Sequence, residues 1–225
     1  MKRTLFILTA LFGLLFSSSP ALAYDCVVDG ICYDLDTTDK TASVVSNTYS
    51  FYGDYSGNII IPETIIYNKT MYFVTSIGLS AFSGCSGLTS VTIGNSVTSI
   101  GCNAFSYCFG LASVTIGNSV TSIDDGAFRG CSGLTSVIFN AEKCAKMGSN
   151  DYPVFDGCTS LTTLTIGEKV TTIPDYAFSS CSRLTSVTIP TSVTSIGYGA
   201  FLDCSGLTSV TIGNSVTSID DGAFR

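Results

Sequence analysis

The chain has 225 residues, of which 45% are hydrophobic and 12% charged, and it contains 10 Cys but neither His nor Trp. Its net charge of −7 at pH 7 argues against a nucleic-acid partner, because such binders cluster Lys and Arg. Without His the chain lacks the usual general base and the commonest metal ligand, and no Ser-His-Asp arrangement can form.

Lys2 and Arg3 precede an apolar run from Thr4 to Phe16, and Ala21-Leu22-Ala23 follows. A charged start, an apolar stretch and small residues read as a secretory signal peptide over residues 1–23, too short for a membrane span. The mature chain would begin at Tyr24. No later apolar run is long enough to cross a bilayer, so no transmembrane span is expected there. Cys26 lies beyond the cleavage point rather than at it, which gives no support for a lipid anchor. The expected destination is the extracellular space or the outer surface.

Residues 24–74 read as a β cap that leads into the repeats. Asp29-Gly30 stands between two β-rich runs, a type I′ hairpin signal. Thr41 to Asn47 is expected to pair beside that hairpin, and Asn58 to Pro62 and Met71 to Ile77 extend the β character. A cap is expected physically, since the first coil of a stack otherwise exposes an apolar end and an unpaired edge.

Residues 75–225 repeat. Phe recurs at 82, 105, 128, 155, 178, 201 and 224, with Cys three residues after each of the first six and Leu three after that. The spacing is 23 residues, except for one step of 27 between Phe128 and Phe155. In each unit a stretch such as Leu88 to Ile93 alternates apolar and polar, which is a short strand with one buried face. Gly94-Asn95-Ser96 is a turn, and Val97 and Ile100 mark a second extended piece. A tight helical turn, with Asp124-Asp125 capping its free amides, is expected to carry Ala-Phe inward. A lone unit cannot repay its ordering entropy, so units must stack to close a core. The 27-residue unit, Leu134 to Ser160, is expected to carry its four extra residues as a bulged loop on one face without breaking the stack. The last unit, Leu207 to Arg225, has the strand and Ala-Phe but not the following Cys and Leu, so this uncapped repeat is expected to fray, to pair with another molecule, or to be cut from a longer protein.

The pattern L-x-x-V-x-I-x-x-x-V-x-x-I-x-x-x-A-F-x-x-C resembles the 23-residue leucine-rich repeat of BspA-like bacterial surface proteins, the treponemal type. The resemblance covers about residues 75–225, and the stretch from Ala23 to Tyr33 looks like the N-terminal cap of such proteins. It implies an α+β repeat solenoid, right-handed, with parallel strands on the concave face and short strands and helical turns elsewhere. It implies an exported, often surface-displayed protein, and some members are adhesins. No catalytic residue and no cofactor come with the family, so the chain is expected not to be an enzyme.

Six cysteines fall one per unit and read as buried thiols in a ladder. Cys102 and Cys144 fall off it and are expected to be partly exposed. Cys26 and Cys32 flank the Asp29-Gly30 turn and are a candidate disulfide. The outward strand positions, Ser90, Ser113, Ser136, Thr163, Ser186 and Ser209 with Thr92, Thr115, Ile138, Thr165, Thr188 and Thr211, form nearly uniform hydroxyl columns. They lack the aromatic and Arg anchors of interface hot spots. The most individual surface is Glu142, Lys143, Lys146, Asn150, Asp151 and Tyr152, together with Tyr107, Phe109, Tyr176, Arg183 and Tyr198. These are the candidate partner-binding residues, for a protein (host matrix or another cell-surface protein) or a glycan. The functional expectation is a non-catalytic binding module, adhesin-like; the alternative is a structural spacer with no ligand of its own.

Overall fold

The computed structural model describes residues 24–47 and 55–225. The leader expected over residues 1–23 lies outside the described residues. Among those residues no helix is long and apolar enough to cross a membrane.

Three strands open the chain: β1 (Cys26–Val28), β2 (Ile31–Asp36) and β3 (Thr41–Val44). β1 and β2 are antiparallel around Asp29 and Gly30, whose φ values of 49° and 81° are those of a type I′ turn. β3 pairs antiparallel to β2. β4 (Ser56–Ile61), β5 (Thr64–Tyr67) and β6 (Thr70–Ile77) follow, with β5 and β6 antiparallel. β3 also pairs parallel with β6, so the cap runs straight into the stack. Tyr55 reinforces that join. Its hydroxyl accepts the Cys32 N–H at 3.1 Å, and its ring lies 4.7 Å from that of Phe82.

The repeats wind as a solenoid of parallel strands. The longer strands are β7 (Gly87–Ile93), β9 (Ser113–Ile116), β11 (Ser136–Phe139), β13 (Thr163–Ile166), β15 (Ser186–Ile189) and β17 (Ser209–Ile212). Two-residue strands lie on a second face: β8 (Ser99–Ile100), β10 (Ser122–Ile123), β12 (Lys146–Met147), β14 (Thr172–Ile173), β16 (Ser195–Ile196) and β18 (Ser218–Ile219). Pairing keeps like residues level, for example Ser113 with Ser136 and Val114 with Val137. Within each ladder a buried residue of one coil therefore meets the buried residue at the same place in the next.

Side-chain ladders fill the interior. Phe82, Phe105, Phe128 and Phe155 stack with ring centroids 4.9, 5.0 and 5.5 Å apart, each pair worth about 0.5–1.5 kcal/mol beyond burial. The six repeat cysteines are buried, as their spacing implies. Cys108, Cys131, Cys158 and Cys204 each donate S–H to the carbonyl of the Phe in the coil before, at 3.0–3.2 Å. The position thus favours a small side chain that carries a weak donor. The neighbouring Cys131 sulfur and burial push the Cys108 and Cys158 thiols up from the usual range.

The third face differs from expectation, because no helix occurs among the described residues. Each Ala-Phe pair from Ala81-Phe82 to Ala200-Phe201 lies between two residues of positive φ, as with Asn103 (53°) and Tyr107 (59°), or Tyr176 (54°) and Ser180 (66°). Left-handed residues at both ends break the run of right-handed φ that a helix needs. The bonds are single turns, Ala104 N–H to Gly101 O and Ser106 N–H to Asn103 O. Asp124 accordingly caps no helix; its carboxylate accepts the Lys146 ammonium at 2.7 Å.

The 27-residue coil keeps more of the pattern than its sequence suggests. Cys144 and Met147 are 1% exposed and stand where Val120 and Ile123 stand in the coil before. Cys144 is therefore a core residue rather than a partly exposed one, and burial pushes its thiol up to about 11. One extra residue, Ala141, tucks into the core at 0% exposure, and the remainder form the loop after Met147.

Three prolines mark where the ladders part. Gly101, Asp124, Gly148 and Gly197 each donate N–H to the strand-end carbonyl of the coil before, all at 2.8 Å. Pro174 holds that place in its coil and has no N–H, and β12 and β14 lie in separate sheets. Gly94, Asn140, Gly167 and Gly213 make the matching bond on the longer-stranded face at 2.8–3.2 Å. Pro190 replaces it, and β13 and β15 also lie in separate sheets. On the turn face, Asn103, Gly126, Tyr176 and Gly199 donate to the following coil, and Pro153 fills their place. The coil from Leu161 therefore bonds backward through β11–β13 and forward through β14–β16.

Candidate functional site

The outward positions of the longer strands form the hydroxyl columns that the sequence implies. Thr92, Thr165, Thr188 and Thr211 are exposed, as are Ser113, Thr163, Ser186 and Ser209. Strand pairing sets Ser90 beside Ser113 and Thr92 beside Thr115. Ile138, 38% exposed, interrupts the Thr column. Next to these columns, the hydroxyls of Thr135 and Thr208 donate to the carbonyls of Ala112 and Thr185 at 3.0 and 3.2 Å. This face is thus rigidly spaced, polar and uncharged.

The individual residues named from sequence do not gather in one place. Glu142 lies at the edge of the longer-stranded face, where Oε1 accepts from Asn118 at 3.4 Å and its backbone carbonyl accepts both the N–H and the hydroxyl of Thr171 at 3.2 and 2.8 Å. Lys143 is exposed beside it. Lys146 is on the second face, and the hydrogen bond that its ammonium gives to the Asp124 carboxylate holds it above the usual range. Tyr107 and Phe109 form a separate pair on the turn face, with rings 6.1 Å apart. Arg183 is exposed two coils further along from the residue equivalent to it, Gly133.

One group does come together. Tyr176 and Tyr198 meet edge to face at 5.4 Å. The Tyr176 phenol is pushed up by partial desolvation and by Tyr198, Asp175 and Asp151 around it. Asn150 and Tyr198 line a cleft of about 530 Å3 with Leu202, Asp203, Asp221 and Arg225. Tyr176 sits at φ 54°, a conformation that costs a non-glycine residue about 1–2 kcal/mol. Its ring lies against Gly199 of the next coil, where a Cβ would come within 3.0 Å of it. Tyr107, at φ 59°, covers Gly130 in the same way.

Asp175 and Asp221 belong to this neighbourhood but are not among the candidate partner-binding residues read from the sequence. Aligning the coils on Phe and reading three residues upstream would have found them. Cys26 stands opposite Tyr33 and Cys32 opposite Val27, so the two thiols leave the hairpin on opposite faces, and both are free. Among the described residues no group of three His, Cys, Asp or Glu side chains is arranged to hold a metal ion.

No curated protein matches the chain. Among solved structures, it is similar to a leucine-rich repeat protein of T. pallidum, at 25% identity and a TM-score of 0.64 over 87% of each chain. It is also similar to a leucine-rich cell surface protein of Faecalibacterium prausnitzii, at 29% identity and a TM-score of 0.50. That match covers 85% of this chain and 55% of the other. A leucine-rich repeat protein of Bacteroides capillosus matches at 25% identity and a TM-score of 0.51, over 63% of this chain and 97% of that one. The profile of the BspA type leucine-rich repeat region matches in 6 copies, over residues 45–152 and 103–225. With parallel coils, phenylalanine and cysteine ladders and that profile over most of its length, the chain belongs to the BspA-type leucine-rich repeat family.

Proposed function

We propose that the chain is a non-catalytic, exported or cell-surface binding module that recognises protein, such as host matrix or another cell's surface protein, or glycan. The observation that carries this reading is the open face of the longer strands. It holds exposed hydroxyls in fixed register across coils, and no other segment among the described residues pairs over it. The kinship to a protein described as a cell surface protein supports the location, as does the leader expected at residues 1–23. A second reading, a spacer, is favoured by the uniformity of the same face, because interface hot spots are commonly aromatic or Arg. Self-association through the exposed coil of β17 and β18 fits either reading.

Surface plasmon resonance against immobilised matrix proteins, with a glycan array in parallel, separates the two. A module gives saturable binding to one of these. Thr165→Lys with Thr188→Lys, placed on the open face, weakens that binding about tenfold or more, and replacement of residues 142–152 tests the loop. No saturable binding to any of them, up to protein concentrations on the order of 100 μM, leaves the spacer.

A further inference from the structure

Aligned on the phenylalanine ladder, the residue three places before each Phe forms a column along the solenoid axis. From the third coil onward it reads Asp125, Tyr152, Asp175, Tyr198, Asp221. The backbone shows that these positions are equivalent. The carbonyls of Asp125, Tyr152, Tyr198 and Asp221 each accept an N–H from the coil before, donated by Asn103, Gly126, Tyr176 and Gly199. Carboxylate and phenol therefore alternate from coil to coil at the corner between the second face and the turn face. Tyr152 and Tyr198 are 53% and 44% exposed, and Asp175 and Asp221 are exposed too.

The charge around the column is one-sided. Asp124, Asp151 and Asp220 flank it one residue further upstream. Two basic residues lie beside them, Lys146, already engaged by Asp124, and Arg129, whose stem lies against Gly126 and whose guanidinium pairs with Asp156, while Asp203 and Arg225 in the cleft by Tyr198 bring one charge of each sign. Exposed aromatic faces attract cations through the ring quadrupole, and a neighbouring carboxylate adds direct attraction. Each coil step is about 4.8 Å, so Asp125 to Asp221 spans about 20 Å, the reach of roughly six extended residues.

We infer that this alternating tyrosine–aspartate ridge docks an extended, Lys- or Arg-rich segment of a partner protein. Cationic heads sit at Asp125, Asp175 and Asp221 while the side-chain stems cross Tyr152 and Tyr198. The inference rests on the binding-module reading and names the chemical class of partner at a surface apart from the hydroxyl face. Asp175 is already oriented, since its Oδ1 accepts the Tyr198 N–H at 2.8 Å.

Fluorescence anisotropy of a labelled hexalysine peptide tests it at low salt. Expected is saturable binding that weakens as salt screens the charges. Asp125→Asn with Asp175→Asn should weaken it about tenfold, and Asn at 175 still offers an acceptor to Tyr198. Tyr152→Ala with Tyr198→Ala should weaken it about fivefold at unchanged net charge, with Tyr152→Ala alone measured if the pair melts early by circular dichroism. Asp29→Asn with Asp39→Asn, on the cap, removes the same charge and should change affinity less than about twofold. Equal loss in the cap variant, no loss in the tyrosine variants, or a neutral oligosaccharide binding in place of hexalysine overturns the ridge. Hexalysine failure alongside saturable binding at the hydroxyl face rejects the ridge alone; failure at both rejects the module reading as well.

Discussion

Leu111 to Arg129 and Leu207 to Arg225 differ at one position, Ala112 against Thr208, yet they live in different environments. Val114, Ile116, Ile123 and Phe128 are at most 1% exposed. Their counterparts Val210, Ile212, Ile219 and Phe224 are 37%, 40%, 49% and 36% exposed. The same residues form the same strands in both places, β9 and β10 against β17 and β18. Local sequence therefore sets the shape of a coil, while burial comes from having a neighbour on each side. Energy in this fold belongs to the interfaces between coils more than to the coils themselves.

The largest contrast should appear on truncating the equivalent rings. Phe128→Ala is expected to cost about 3–5 kcal/mol and Phe224→Ala roughly half or less, read from urea unfolding midpoints. Equal losses would mean that the exposed coil is covered in solution, and sedimentation would then show self-association. A smaller contrast is expected in amide exchange. Val210 and Ile212 should exchange at least about tenfold faster than Val114 and Ile116, since low local burial permits local opening; matching protection in a monomer contradicts this. The smallest effect concerns the parted ladders. Pro190→Gly supplies the N–H that Gly167 and Gly213 use, a bond worth about 0.5–1.5 kcal/mol, largely offset by the freer unfolded chain. The gain should therefore show as new exchange protection at residue 190 with little change in melting. An unprotected amide there would show that something other than the missing donor separates β13 from β15.

Much of this architecture is legible in the sequence because the same size constraint is written into every coil. Phe, Cys, Leu, Val and Ile recur at fixed places, and they are buried there in every coil before the last. The turn face was harder to read. Asn103, Tyr107, Tyr176 and Asp203 all adopt positive φ, yet none of these residue types forbids a helix. Their conformation is imposed by bonds to neighbouring coils, such as Tyr107 N–H to Arg129 O at 2.7 Å. Cys144 looked stray because the extra residue Ala141 shifts it by one place, although Cys144-x-x-Met147 keeps the Val-x-x-Ile spacing. The candidate surface was legible only in pieces. Residues far apart in the sequence become neighbours through the coil period, so Asn150 joins Tyr198 in one cleft while Tyr107 and Phe109 stay apart as a pair of their own.

Near-copies bring a hazard, since interchangeable coils can dock in the wrong order. The odd coil counters it. Phe139 stands where the other longer strands end in Ile, and it meets Phe178 edge-on at 5.6 Å and 89°. Pro153, Pro174 and Pro190 each withhold the donor that an ordinary neighbour would expect. A slip by one coil would part Phe139 from its matching ring. The 27-residue coil thus acts as a key, marking one order of assembly among repeats that are otherwise alike.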